Sequence, residues 1–219
     1  MTTALYYAPD ACSIAPHIVL REIAEPFELR KVSIMDKSNQ KPEYLAINPK
    51  GRVPALLTEG TIVTENPAIL FHLGRKYFQA GLMPPAGSLK EAKCVEMMSW
   101  LSNTVHVAFS QMVRPERFVV GDAGFPAVQD SGRGNFQRQL ATIDDHLSRH
   151  RFAVGDQFTV ADPYLLVFFR WGVRHAFDMK TLFPSYCRFV DGMYARPTVL
   201  AALEYEGLTT WPEQGPPPN

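Results

Sequence analysis

Cysteine is scarce in this sequence: three among 219 residues, an odd number that cannot close a secreted disulfide framework. Charge of one sign is not in excess either, with 22 Lys and Arg against 22 Asp and Glu. No bulk electrostatic reason therefore exists to expect a nucleic-acid partner or an acidic membrane surface, although a local basic patch stays compatible with that balance. Long hydrophobic runs are missing, so no membrane span is expected. The opening MTTALYYAPD has neither the charged start nor the apolar core of a signal peptide. These absences lead to the expectation of a reduced, cytosolic protein. His, Cys and acidic residues do not fall at zinc-site spacings, so no metal is expected. Walker loops, G-x-S-x-G and H-E-x-x-H are not found, and there is no internal repeat.

What is there suits a folded chain. At 46% hydrophobic, the length can bury the core of one large domain or two modest ones. The first eighty residues alternate short pieces. TALYY (3–7) is compatible with a strand, SIAPHIVLREI (13–23) has helical spacing, and FELRKVSI (27–34) alternates like a half-buried strand. VPALLT (53–58) and TIV (61–63) flank Glu-Gly, a hairpin turn, and ENPAILFHLGRKY (65–77) reads as an amphipathic helix. The order predicts a small sheet carrying helices over residues 1–80. A Gly- and Pro-containing linker follows at 81–87. Residues 88–219 then read as all-helical, with periodic stretches from Leu89 to Arg117, Pro126 to His150, Val160 to Phe177 and Leu182 to Arg196. SGRGN (131–135) reads as a loop that starts a helix, and the tail EQGPPPN as neither helix nor strand. Thr159 and Asp162 stand at capping-box spacing, the Thr hydroxyl accepting from the Asp162 N–H and the carboxylate reaching back.

Three stretches carry chemistry. In DACSIAPH a helix starting near Cys12 or Ser13 would set both side chains at its N-terminus, where unpaired N–H groups favour a thiolate. A small buried filler is the competing reading of Cys12, and it is the reading adopted for Cys94 and Cys187. In NPKGRVPAL the Val53-Pro54 pair is a candidate cis bond that would free the Val53 backbone for a peptide ligand. The plainer alternative is a tight loop. In VTENPAIL, Glu65 and Asn66 precede a helix, where they either cap it or clamp the amine and carboxylate of an amino-acid head group. Together the three stretches suit a thiol-bearing peptide with a free α-amino acid end, which is glutathione.

The chain resembles a bacterial glutathione S-transferase, most similar to the beta class, from about residue 4 to 208. The resemblance is carried by YYAPDACSIAPHIVLRE, NPKGRVPAL, TENPAILFHL, VGDQFTVADPYLLVFFRW and ARPTVLAALEYEGL. It implies a thioredoxin-like N-terminal domain, an all-helical C-terminal domain, a homodimer, and cis geometry at Pro54. It implies glutathione as co-substrate, held by the Val53 backbone beside Arg52 and by Glu65 and Asn66 at its γ-glutamyl end. Cys12 would lie beside the glutathione sulfur with Ser13 close by, and His106 would enter from the second domain. A small electrophile would sit against Phe109, Met112 and Trp171.

This sequence departs from the family pattern at three places. Asn66 stands where Ser or Gly is usual, Val107 where Lys often follows the cleft His, and Pro163 where an apolar staple residue usually sits. Two other functions remain open at this point. Cys12 forms a mixed disulfide in a thiol–disulfide reductase or lyase, or the fold serves a non-catalytic interaction protein. Detoxification, catabolism and redox repair all use such a site, and the sequence does not choose among them.

Overall fold

The computed structural model describes residues 3–212; the tail EQGPPPN lies outside them. Four strands form one sheet: β1 (Ala4–Tyr7), β2 (Glu28–Lys31), β3 (Ala55–Thr58) and β4 (Thr61–Thr64). Their order is β2-β1-β3-β4, with β1 parallel to β2, and β3 antiparallel to both β1 and β4. β1 is central and buried throughout. Successive side chains point to opposite faces. Leu5 and Tyr7 therefore join the large core with α1 (Ile14–Ile23) and α3 (Asn66–Lys76), while Tyr6 packs with Val32, Tyr44 and Ala55 on the other side. The hairpin turn is as expected, with Glu59 (φ 52°) and Gly60 (φ 79°) both left-handed, the geometry a two-residue connection prefers. β2, expected to be half-buried, is an exposed edge on which only Leu29 packs. Its charged residues keep that edge in water.

Helix α1 starts at Ile14, one to two residues later than the sequence predicts, because the Ser13 hydroxyl turns back to Ala8 and caps nothing. A short α2 (Pro42–Leu45) occupies the irregular stretch before β3. Beyond Leu82 and Met83, both buried, every regular element is helical. α4 (Leu89–Trp100) runs through a π-helical segment, Leu101–Val105, into α5 (His106–Val113). Next come α6 (Phe125–Arg149), α7 (Asp162–Arg174), α8 (Met179–Leu182), α9 (Pro184–Tyr194) and α10 (Pro197–Tyr205). This is the thioredoxin-like sheet followed by a helical bundle. α7 is the bundle's axis, buried from Asp162 to Gly172. α10 was not among the expected helices; its periodicity is masked by a mean apolar character and only packing on α1 shows which face is core. Among the described residues no helix is long and apolar enough to cross a membrane.

Two expectations need correcting. SGRGN does not open a helix but lies inside α6. Gly132 is there because α5 crosses at that point: an added Cβ would come within 2.5 Å of the Met112 backbone nitrogen. The capping box at α7 closes differently from its pattern. The carboxylate does reach back, Asp162 Oδ2 accepting from the Thr159 N–H at 2.7 Å and its hydroxyl at 3.1 Å. The Thr159 hydroxyl, however, accepts from Ala161 N–H, while Asp162 N–H donates to the Thr159 carbonyl. Asp162 Oδ1 also accepts from Ala153 N–H at 2.8 Å, so this buried carboxyl ties a neighbouring turn to the helix start. Pro163, in the first turn of α7, needs no hydrogen-bond partner there and leaves the start intact.

These packings generate two expected outcomes, both read by chemical denaturation. Asp162→Ala strands two buried N–H donors and lowers stability by about 2–4 kcal/mol. Gly132→Ala lowers it by about 1–3 kcal/mol through overpacking. Gly134→Ala in the same helix meets only the end of Arg138 at 3.6 Å, and raises stability by about 0.5–1 kcal/mol.

Candidate functional site

The site forms where the carboxyl end of β1 meets α5 and α7. A cleft of about 540 Å³ opens there, lined by Cys12, Arg52, Val53, Pro54, Glu65, Asn66, and from the helical side His106, Phe109 and Trp171. Five sequence segments thus converge.

The loop after β1 is held from below. Asp10 is buried with a left-handed backbone (φ 53°). Its Oδ1 accepts from Arg170 Nε at 2.6 Å, its Oδ2 from Arg174 Nε, and its carbonyl from Trp171 Nε1 at 2.9 Å. The Asp10 N–H donates to Glu206 Oε2 at 3.1 Å, and Glu206 Oε1 meets His17 Nδ1 at 2.8 Å. Arg21 Nε donates to His17 Nε2 at 2.9 Å. An arginine has only protons to give, so the ring proton of His17 sits on Nδ1 and points at Glu206. Burial lowers His17 to about 3, so it stays neutral. Burial, with Asp10 adding, raises the Glu206 carboxyl to about 8, against the Asp10 N–H and the more distant Arg170 and Arg21, which favour its ionised form.

On this footing Cys12 sits half-buried at the cleft wall, its Sγ donating to the Val53 carbonyl at 3.5 Å. Burial pushes its thiol up to about 12, with Glu65 adding and Arg52 opposing. The thiolate expected from the helix terminus is therefore not present. Desolvation exceeds the dipole, and α1 begins only at Ile14. Ser13, fully buried, gives its hydroxyl to the Ala8 carbonyl and takes the Ala8 N–H, both at 3.1 Å; it is not brought into the cleft.

The Val53-Pro54 bond is cis. The Val53 carbonyl is not free, since it takes the Cys12 thiol. The preceding residues are clamped: Tyr44 Oη and Asn48 Nδ2 donate to the Arg52 carbonyl at 2.7 and 2.6 Å. Gly51, at φ 60°, receives Asn39 Nδ2 and Gln40 Nε2 on its carbonyl. Glu65 is exposed at φ 72°, a conformation that costs a non-glycine residue about 1 kcal/mol or more and is concentrated at ligand sites. Its carboxylate meets Lys50 Nζ at 2.5 Å. Asn66 is buried, and its Nδ2 donates to the Cys12 carbonyl at 2.9 Å. That bond fixes the amide orientation. The group left over is Oδ1, a buried acceptor with no protein partner. One of the two amide protons is thus used inside the protein, and Asn66 also presents an acceptor.

His106 follows the π-helical segment, a distortion common at functional positions. Its ring stands edge-on to Trp171 at 5.0 Å, and burial, then Arg52 and Arg117, lower it to about 4. It is neutral at neutral pH. Trp171 stacks on Phe109 at 4.2 Å. Met112 is buried among the core residues and does not line the cleft. The residues that sequence reasoning missed are Asp10, Tyr164, Arg114, Arg117, Arg170 and Arg174. A signal existed for two of them: Arg170 and Arg174 are cations four apart in the apolar stretch FFRWGVR. Among the described residues no group of three or more metal-ligating side chains comes together.

Comparisons with known proteins agree with this geometry. Residues 1–75 match the family described as glutathione S-transferase, N-terminal domain, and residues 102–197 its C-terminal domain. Glutathione S-transferase GstA of Escherichia coli O157:H7 is 34% identical over 93% of this chain and 98% of its own length. A glutathione transferase homologue from Sulfitobacter, solved with bound glutathione, is 32% identical with a TM-score of 0.88, covering 95% of this chain and 99% of that one. The beta class enzyme of Sphingomonas chungbukensis is 33% identical with a TM-score of 0.83, covering 94% and 100%. With matched sequence in both halves and full-length structural counterparts, the chain belongs to the glutathione S-transferase family.

Proposed function

We propose that this enzyme binds glutathione in the cleft and transfers its thiolate to a small electrophile. Residues 1–80 hold the glutathione, 81–87 link, and 88–219 supply the electrophile side. The convergence of Cys12, Val53, Glu65, Asn66 and His106 on one cleft from separate segments carries the reading. The residues fit the ligand. The Glu65 carboxylate and the unpartnered Asn66 Oδ1 both suit the γ-glutamyl ammonium. The Val53 backbone, set on its turn by Tyr44 and Asn48, suits the peptide portion.

The sulfur of glutathione then lies beside Cys12. A Cys12 thiol raised to about 12 is a hydrogen-bond donor, not a nucleophile, at neutral pH. Turned from the Val53 carbonyl, which holds it at 3.5 Å without ligand, the one S–H proton of Cys12 steadies a neighbouring thiolate. Bringing a thiol from about 8.5 to about 6.5 takes about 2.7 kcal/mol, which one or two charge-assisted hydrogen bonds supply. The glutathione thiol loses its proton to solvent, its sulfur attacks the electrophilic carbon, and the leaving group departs with its electron pair. Neutral His106 orients the site without carrying charge. Phe109 and Trp171 form the apolar wall for the electrophile. The same high pKa disfavours a mixed-disulfide role for Cys12. We extend the proposal to a homodimer in the cytosol, which light scattering of the purified protein and cell fractionation check.

Calorimetric titration with glutathione and conjugation of a model aromatic halide test the function; absence of both sinks it. Cys12→Ala lowers kcat/KM for conjugation by about tenfold or less, one hydrogen bond's worth. Complete loss would instead identify Cys12 as the nucleophile. Glu65→Gln weakens glutathione binding by about 10- to 100-fold. Alkylation of Cys12 in the ligand-free enzyme, followed by peptide mass spectrometry, rises about tenfold per pH unit from about pH 7 to 10 without levelling. A plateau near neutral pH would contradict the raised pKa.

A further inference from the structure

The chain as a whole is charge-balanced, 22 against 22, but its cleft is not. Lys31, Arg52, Arg114, Arg117 and Arg174 line it against only two carboxylates, Asp10 and Glu65. Both carboxylates are engaged already, Asp10 by Arg170 and Arg174 and Glu65 by Lys50. Among the described residues, Arg52, Arg114 and Arg117 make no ion pair or side-chain hydrogen bond. All three line the one cleft and feel one another's charge: burial and then the Arg114 and Arg52 guanidiniums lower Arg117, with Glu116 opposing, and burial and then Arg52 and Arg117 lower His106, with Glu65 opposing. Unpaired like charges around a partly dry cleft destabilise each other.

Glutathione does not use up this charge. As the thiolate it brings two carboxylates and one sulfur anion against one ammonium, so a cationic surplus survives its binding. Position decides where the surplus acts. Arg52 belongs to the Val53 turn. Arg114 and Arg117 directly follow α5, on the helical wall that also carries Phe109, Ser110 and Val113. That wall is the one assigned to the electrophile.

We propose that the second substrate is an electrophile bearing a carboxylate on an apolar body, the carboxylate held by Arg114 and Arg117 and the body packed on Phe109 and Trp171. The inference rests on the glutathione-transferase reading and adds the substrate class. The reaction balances without any redox partner: a carbon–sulfur bond forms, the bond to the leaving group breaks, and the thiol proton goes to solvent. The remote carboxylate is unchanged. Two guanidiniums in line with a carboxylate give bidentate recognition that a neutral group of the same shape does not receive.

Calorimetry with three ligands tests it: glutathione, S-benzylglutathione and S-(para-carboxybenzyl)glutathione. The carboxylate conjugate is expected to bind about tenfold tighter than the benzyl conjugate at low salt. The ratio falls as salt is added. R114Q and R117Q each bring the ratio toward one. Equal affinity of the two conjugates in the wild type overturns the proposal while leaving glutathione binding in place. Equal weakening of glutathione and both conjugates by R114Q and R117Q also overturns it, because the arginines would then serve a carboxylate of glutathione. If glutathione itself fails to bind, the underlying functional reading falls and this proposal with it.

Discussion

The ion pairs of Asp10 with Arg170 and Arg174 are the constraint on which the site depends. A carboxylate on the loop after β1 is gripped by two cations from α7, more than 150 residues away in sequence. All three side chains are buried or nearly so. Burying charge is costly, and removing one partner from such a pair typically costs about 3–5 kcal/mol. The compensation here is multiplicity: both Asp10 oxygens, its N–H and its carbonyl are all used. Glu206, His17 and Arg21 extend the same network to α1 and to the turn after α10. The loop that presents Cys12 is therefore fixed to the helical bundle, and the two walls of the cleft keep a set separation.

Chemistry in the cleft follows from desolvation more than from dipoles. Cys12 and His106 are both driven to their neutral forms, one upward and one downward, by the same burial. A neutral thiol and a neutral imidazole are poor nucleophile and poor counter-ion, respectively. They are suitable neighbours for a substrate that brings its own sulfur. Fixed positive charge comes instead from guanidiniums, which burial does not neutralise at neutral pH. The missing Lys at Val107 is thus set against Arg52, Arg114 and Arg117 along the same cleft.

Much of this was legible in the sequence, for local reasons. The hairpin at Glu59-Gly60, the helix at Asn66 and the bundle after Leu89 follow from turn chemistry and periodicity. Glu65 and Val53 stand out in the sequence because short motifs carry them, and both line the cleft. What was misread depended on partners remote in the chain. Gly132 reads as a loop residue until α5 is seen crossing it. Ser13 reads as a site residue at the helix start until its hydroxyl is seen on Ala8. Asn66 reads as a donor only, until the Cys12 carbonyl is seen to take one of its N–H groups and to leave Oδ1 buried without a protein partner.

The sequence by itself determined the element types, the two-part organisation and the family, because each is written in spacings of a few residues or in motifs kept in order. Only the tertiary structure decided protonation, orientation and charge at the site. Those depend on which groups from distant segments are desolvated together. The Cys12 thiol is raised by its surroundings and not by its neighbours in sequence. Likewise a chain with no net charge folds so that unpaired guanidiniums gather in its cleft, because composition counts charges while the fold places them.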